Sequence, residues 1–376
     1  MTRSQRLSGQ TRPRARSFRS TAVLGVLSLA LLSACGGEAT TAPETAGTPP
    51  ASEATASETT RSEAPETDSS DFLALEDRFD ARVGVYAVDT GTGREVSWRG
   101  DERFAYASTI KALAAAALLE KVGTAGLTKT VTIEESDIVS HSPVTETRVG
   151  QSMSLEEVCE AALTQSDNTA ANVLFAELGG PEAFDAQLNA LGDTGTTVSR
   201  IEPELNEALP GDPRDTTTPR ASAQNLREYV FGEALDDEET AALTTWMKNT
   251  RTGDTLVRAE LPDDWTVGDK SGGGMYGSRG DLAVVWPTDG APLVISVLSS
   301  REEEDAGYDD RLVSGAAAAA VEQLRQTVGG QAAVSAPGPA PHPPMTPHSR
   351  AVSSFVCLDP FAISRPGAVR GMSEHC

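Results

Sequence analysis

Runs of β-branched residues open and close the central part of this chain, and helical patterns fill the stretch between them. Arg82 to Asp89 and Glu95 to Trp98 read as two strands separated by Thr90-Gly91-Thr92-Gly93-Arg94, a hairpin signal. Helical patterns follow at Ser108–Val122, Ser154–Gln165, Thr169–Leu178, Pro181–Leu191 and Ser222–Phe231. Strand signals return only at Trp265–Asp269, Asp281–Trp286 and Leu293–Leu298, before a last Ala-rich helix over Asp309–Val328. The expected fold class is therefore α/β of the α+β kind. An antiparallel sheet, built from N- and C-terminal segments and flanked by helices, carries an inserted all-helical subdomain. A cleft between those layers is the default place for a ligand.

The segments outside residues 72–330 have other compositions. Arg3, Arg6, Arg12, Arg14, Arg16 and Arg19 form a basic leader, and Ala22 to Ala34 is an apolar run too short to span a bilayer as a helix. That pattern predicts a signal peptide over 1–35. Its end, Leu32-Ser33-Ala34-Cys35-Gly36, resembles the bacterial lipobox, in which the Cys is lipidated and becomes the mature N-terminus. An ordinary cleaved signal is the alternative. The expectation is export and attachment to the outer side of the cell membrane through Cys35, with partial release. Residues 36–71 hold eight acids against Arg61 alone and read as a disordered acidic linker. Residues 331–376 hold 8 of the 22 prolines and read as a disordered tail. Within the body, the α/β part is expected over about 72–104 and 249–330, with the helical part over about 105–248.

Charge and residue usage exclude several functions. Lys and Arg number 31 against 55 Asp and Glu, which is 31 − 55 = −24, a poor match for nucleic acid. Three of the four histidines (His342, His348, His375) lie in the tail, so a Ser-His-Asp triad or a multi-histidine zinc site would rest on His141 alone. The four cysteines have no zinc spacing and imply no disulfide framework, and Cys159 reads as a small core residue. No metal, no cofactor and a monomer are expected. A catalyst in this chain has to use other bases.

Three short motifs offer them. Ser108-Thr109-Ile110-Lys111 opens the first long helix, and positions i and i+3 share a helix face, so the ammonium of Lys111 can reach the Ser108 hydroxyl. A lysine of lowered pKa could then serve a nucleophilic serine as base or relay. Alone, the pair is a weak signal. Ser166-Asp167-Asn168 is more telling, although Ser or Asp there could simply cap the next helix. Lys270-Ser271-Gly272 ends a strand and precedes Gly273, Gly274 and Ser278-Arg279-Gly280. It is either a hairpin turn or a strand edge that pairs with a substrate backbone, with Lys270 and Arg279 drawing in a carboxylate. Only five lysines exist in the chain, and two of them fall in these motifs.

In order and spacing the three elements resemble the active-site serine, S-D-N and K-[ST]-G motifs of penicillin-recognising serine enzymes. Arg200-Ile201-Glu202-Pro203-Glu204-Leu205-Asn206 resembles the E-x-x-L-N segment of class A β-lactamases, and Pro210 to Pro219 continues that family's Ω-loop. His141 to Glu146 and Ser166 to Leu174 are similar as well, so the resemblance spans residues 72–330. It implies a hydrolase of penicillins and cephalosporins acting through a serine acyl-enzyme. The resemblance makes Ser108 the nucleophile, Lys111 and Ser166 its proton partners, and Glu202 the residue that activates the deacylating water beside Asn206. It places the oxyanion hole at the N–H groups of Ser108 and Gly273 and gives Asn168, Lys270, Ser271, Gly272, Gly273 and Arg279 to substrate. It further implies an Arg200–Asp215 ion pair closing the loop and a cis Glu202–Pro203 bond, and leaves open whether Lys111 or Glu202 is the acylation base. Ala107 and Gly274 stand where some relatives carry a disulfide, and His141 where many carry a cleft aromatic. The competing readings are a D,D-peptidase, which would lack the deacylating Glu, and a β-lactam-sensing penicillin-binding protein, which would acylate and stay acylated.

Overall fold

The computed structural model describes residues 67–331. The leader with Cys35, most of the acidic linker and the tail after Gln331 lie outside the described residues. The chain enters through α1 (Ser70–Phe79), β1 (Arg82–Asp89), β2 (Glu95–Trp98) and the short β3 (Phe104–Ala105). It continues through α2 (Ile110–Gly126), β4 (Thr130–Thr132), β5 (Ser152–Ser154), α3 (Leu155–Thr164), α4 (Asn168–Leu178) and α5 (Pro181–Ala190). After β6 (Thr216–Thr217) come α6 (Pro219–Phe231) and α7 (Asp237–Lys248), then β7 (Thr266–Gly273), β8 (Arg279–Trp286), β9 (Leu293–Ser300) and α8 (Asp310–Gln331).

The main sheet runs β2-β1-β9-β8-β7, antiparallel throughout, so the first strands of the body pair with the last ones. Each strand feeds two separate cores. Val83, Val85 and Ala87 of β1 join one apolar cluster, while Tyr86 and Val88 join the other. In β8, Ala283 and Val285 face the first cluster and Leu282 and Val284 the second. Successive side chains of a strand point to opposite faces, and a sheet covered on both sides shows no polar alternation. One cover is α1 with α8; the other is the helical part, centred on α2. From Ala112 to Leu119 every residue of α2 is buried, which requires an apolar surface on all sides and explains the alanine run.

Several boundaries differ from expectation. Helix α1 and helix α7 carried no apolar period strong enough to mark them. Only Phe72 and Phe79 of α1 are buried, and α7 begins with a solvated acidic turn. The detectable sign for α7 was its capping box, in which Asp236 and Glu239 each accept from the other's backbone N–H. Residues 67–71, assigned to the linker, lie against the body: Ser97 N–H donates to Thr67 Oγ1 at 3.1 Å, and α1 starts at Ser70. Strand β7 runs on through Gly273, with Lys270 opposite Leu282 and Gly273 opposite Arg279, so Lys270-Ser271-Gly272 is strand and not turn.

Candidate active site

Ser108 stands in a single 3-10 turn, Ala107–Thr109, that leads into α2. Ala107 takes φ 43°, a left-handed value few residues with a side chain adopt, and Thr109 Oγ1 locks the turn by donating to Tyr106 O at 2.6 Å. Strand β7 passes directly against it. A Cβ on Gly272 would lie 2.9 Å from Tyr106 O and 3.0 Å from Thr109 N, so only glycine permits this approach. The backbone of Gly272 and Gly273 is thereby drawn alongside the serine turn.

Lys111 is fully buried one helical turn further on. Its ammonium donates to Ser166 O at 2.8 Å and to Asn168 Oδ1 at 2.6 Å, and stands 3.0 Å from Glu202 Oε1. Ser108 Oγ donates to that same carboxylate oxygen at 3.3 Å. The i, i+3 spacing led to the expectation of a direct Lys111–Ser108 contact. The structure instead brings both groups to Glu202 Oε1, with no hydrogen bond between them. An ammonium has three donors, and two amide-type oxygens and a carboxylate use all three. Burial pushes the Lys111 ammonium below its ordinary value, and the charge of Glu202 opposes that shift.

The Ser166-Asp167-Asn168 segment serves as cap and site together. Asp167 caps α4 by accepting from Ala170 N–H at 2.8 Å, and it also accepts from Val144 N–H, Thr145 N–H and Thr145 Oγ1, which fastens the His141–Glu146 segment. Ser166, at φ 57°, accepts at Oγ from Lys270 Nζ at 3.1 Å. Lys270 is also fully buried and donates to Ser271 O at 2.8 Å. Burial first, and then the neighbouring Lys111 charge, bring its ammonium down to about 7. The Asn168 side chain, expected to face substrate, is occupied on both ends, by Lys111 and by Ser140 O at 2.9 Å.

Glu202 is almost wholly buried although it sits on a loop. The Asn172 side chain grips its backbone on both sides, accepting from Glu202 N–H and donating to Glu202 O, each at 2.8 Å. The Glu202–Pro203 peptide is cis. Asn206 donates to Glu202 Oε2, while Asn206 Oδ1 is buried without a partner. The loop is closed by the Arg200–Asp215 ion pair, and Asp215 further accepts from Tyr106 Oη at 2.9 Å and from the N–H groups of Ser199 and Arg200. Met275 N–H donates to Asn206 O at 3.1 Å, tying the loop to the turn after β7. Because Asp215 is buried beneath four donors, Asp215→Ala should lower unfolding free energy by about 3 kcal/mol. A denaturant midpoint equal to that of the unmodified chain would remove the clamp from this account.

The remaining expected site residues are less free than their types suggest. Arg279 is held by Asp310 through Nε at 2.7 Å and Nη2 at 3.2 Å, reaches Gly272 O with Nη1 at 3.3 Å, and lies under the Tyr308 ring. Ser271 Oγ donates to Thr252 Oγ1 at 2.7 Å. His141 is exposed at φ 59°, and its carbonyl accepts from Asn168 N–H. Sequence reasoning missed Asn172, Tyr106 and Asp310. Asn172 had a usable signal, since it lies four residues after Asn168 and so on the same face of α4.

Cavity size does not point to this place. A cavity of about 680 Å³ lies between α6 and the Leu191–Gly195 segment, and one of about 800 Å³ lies between Leu261, Trp265 and α8; none of the groups above lines either. A recess of about 500 Å³ between Pro203, Glu204, Asn206, Gly274 and Met275 adjoins them. Chemistry marks the candidate site: a buried serine and a buried lysine share one oxygen of a buried carboxylate, and a second buried lysine donates to the neighbouring Ser166. Among the described residues no group of three or more His, Cys, Asp or Glu is placed to hold a metal ion.

Comparison with known proteins bears on the family of the chain. Residues 69–324 match the model of a family described as the beta-lactamase enzyme family. A beta-lactamase of Amycolatopsis lactamdurans is 50% identical over 254 residues, 68% of this chain and 84% of that protein. Beta-lactamase 1 of Bacillus cereus is 50% identical over 244 residues, 65% of this chain and 79% of its own length. Among solved structures, a halotolerant bacterial beta-lactamase superposes with a TM-score of 0.67 at 47% identity, covering 69% of this chain and all of that one. A class A beta-lactamase from Clostridium kluyveri DSM 555 gives 0.66 at 44% identity, covering 67% and 97%.

Proposed function

The chain belongs to the beta-lactamase enzyme family, as a class A serine β-lactamase, and from that premise we propose a reaction course in which Glu202 serves both halves. The observation that carries it is the convergence of Ser108 Oγ and Lys111 Nζ on Glu202 Oε1. Ser108 passes its proton to that oxygen and attacks the lactam carbonyl carbon. The oxyanion that forms is held by the N–H groups of Ser108 and Gly273, donors of a kind that contribute a few kcal/mol at a transition state. Ser166 gives its proton to the departing nitrogen as the C–N bond breaks. Lys270, which donates to Ser166 Oγ and binds its own proton weakly, resupplies it.

The acyl ester on Ser108 is then attacked by water. The proton Glu202 took from Ser108 first leaves to refill Lys270. Glu202, paired with the Lys111 ammonium, then takes the water's proton and returns it to Ser108 Oγ as the ester breaks, and the unpaired Oδ1 of Asn206 offers the water an acceptor. Lys270, Arg279 and, once its hydroxyl turns from Thr252, Ser271 receive the substrate carboxylate beside Gly272, and the second N–H of the Asn168 amide meets the substrate's side-chain amide. A steady-state panel of penicillins, cephalosporins and a carbapenem on chain lacking residues 1–35 tests the reading. Stoichiometric acylation without turnover would replace it with that of a β-lactam sensor.

Two consequences arise for the carboxylate anchor. Arg279→Ala should raise KM for carboxylate-bearing substrates about tenfold with kcat changed less, and an unchanged KM would assign that anchor elsewhere. Lys270 is charged below about 7 and loses its proton as the pH rises through that value. KM should therefore climb on the alkaline side, and Lys270→Arg should flatten the climb; a profile identical in both proteins would detach it from Lys270.

The same reading covers what lies outside the described residues. Residues 1–35 direct export, Cys35 takes a lipid that holds a monomeric enzyme on the outer face of the membrane, and residues 36–66 act as its tether. Cys35→Ala should move activity from the membrane fraction to the medium; activity that stays with the membrane would refute the anchor.

A further inference from the structure

Behind Lys270, on the opposite face of the sheet, the reaction just described leaves two carboxyl groups unused. Asp269 of β7 and Asp281 of β8 are both fully buried. The register sets Asp281 opposite Ser271 and Asp269 opposite Ala283, so the two are diagonal neighbours on one face, the face of Ala283, Val285 and α8. Successive residues of one turn hold them: Arg258 pairs with Asp269 Oδ1, and Val257 N–H donates to Asp281 Oδ2 at 3.1 Å. Each carboxyl then has one oxygen left over. Asp269 Oδ2 and Asp281 Oδ1 are both buried with no hydrogen-bond partner. Two buried orphan acceptors on adjacent strands are costly unless a donor lies between them, and two like charges so placed cannot both persist.

We propose that Asp269 and Asp281 hold one proton between them, so that the pair carries a single negative charge that sets the charge of Lys270 during turnover. This rests on the proposed role of Lys270 and adds two positioning residues to it; neither carboxyl touches substrate. The proton supplies the missing donor to both orphan oxygens. Arg258 balances the remaining charge. Burial and the neighbouring Asp269 hold Asp281 well above the usual carboxylate range, and burial raises Asp269 against the pull of Arg258, as sharing requires. The other groups facing the pair are Asp254 on the Arg258 turn, Lys270 across β7, and Arg279 on β8 with its partner Asp310. Lys270 itself faces Lys111 and Glu202. Its ammonium is therefore poised between one cationic neighbour, Lys111, and two anionic neighbourhoods, Glu202 and the pair behind it.

The test exploits the amide. If one proton is shared, Asp269→Asn or Asp281→Asn replaces it with an N–H donor and leaves the charge of the pair unchanged. Each single variant should then keep the alkaline limb of kcat/KM where it is, and the double variant, which removes the charge, should move that limb down by about one pH unit. If instead both carboxylates are ionised, each single variant removes a charge and shifts the limb by itself, which overturns the proposal. Infrared spectra of the resting enzyme at neutral pH give a readout that needs no turnover. The C=O stretch of a protonated carboxyl should be present in the unmodified protein and absent from Asp281→Asn. A spectrum without that band, or a band that survives in Asp281→Asn and Asp269→Asn alike, overturns the shared proton even if the reaction course stands.

Discussion

Replacement of Ser108 by alanine is expected to abolish acylation and to lower kcat by on the order of 10⁴-fold or more, the scale of losing a nucleophile that acts in concert with its base. The fold should survive the change. Ser108 contributes one hydrogen bond, to Glu202 Oε1, and the Lys111–Glu202 ion pair remains behind it. Unfolding midpoint and penicillin affinity should accordingly stay close to those of the unmodified enzyme. The decisive measurement is mass spectrometry of the protein after mixing with a good penicillin. An adduct of substrate mass on the alanine variant would move the nucleophile to another residue.

Glu202→Gln is expected to give the opposite picture, an ester that forms and stays. The amide keeps the shape, its oxygen can still accept from Lys111 and its NH2 can meet Asn206 once that amide turns to present Oδ1, but it cannot take a proton from water, so kcat should fall by about 10³-fold or more. Quenched samples should show the acyl-enzyme accumulating. The same variant separates the two halves of the proposed course. With Glu202 also accepting the Ser108 proton, the burst of acylation should slow as well. An unchanged burst rate beside a collapsed deacylation rate would transfer the first proton to Lys111. An absence of any adduct together with continued hydrolysis would take Glu202 out of the chemistry altogether.

Much of the architecture was legible before any coordinates. Strands at the two ends of the body had only each other to pair with, and β1, β9 and β8 indeed lie side by side. The alanine run of α2 announced a helix buried on every side. Helix α1 was not legible, because its amphipathic signal rests on Phe72 and Phe79 at the edge of a polar linker. The extent of β7 was ambiguous because Gly and Ser are turn formers by propensity. Pairing with β8 and the close approach to Tyr106 O overrode that preference.

The site divides in the same way. Motif spacing alone brought together the right residue types, Ser108 with Lys111 and Ser166 with Asn168, because a helical turn or a cap places near neighbours whatever surrounds them. It could not say which acceptor each donor takes. Ser108 and Glu202 are separated by 94 residues, yet their contact, rather than the local Lys111–Ser108 pair, is the one that forms. Arg279 likewise closes on Asp310, and Asp269 comes to lie beside Asp281, through packing between elements far apart in the chain. Hydrogen bonds in a buried site are a competition among all acceptors within reach. Only the assembled fold, which excludes water and fixes every distance at once, decides the winners.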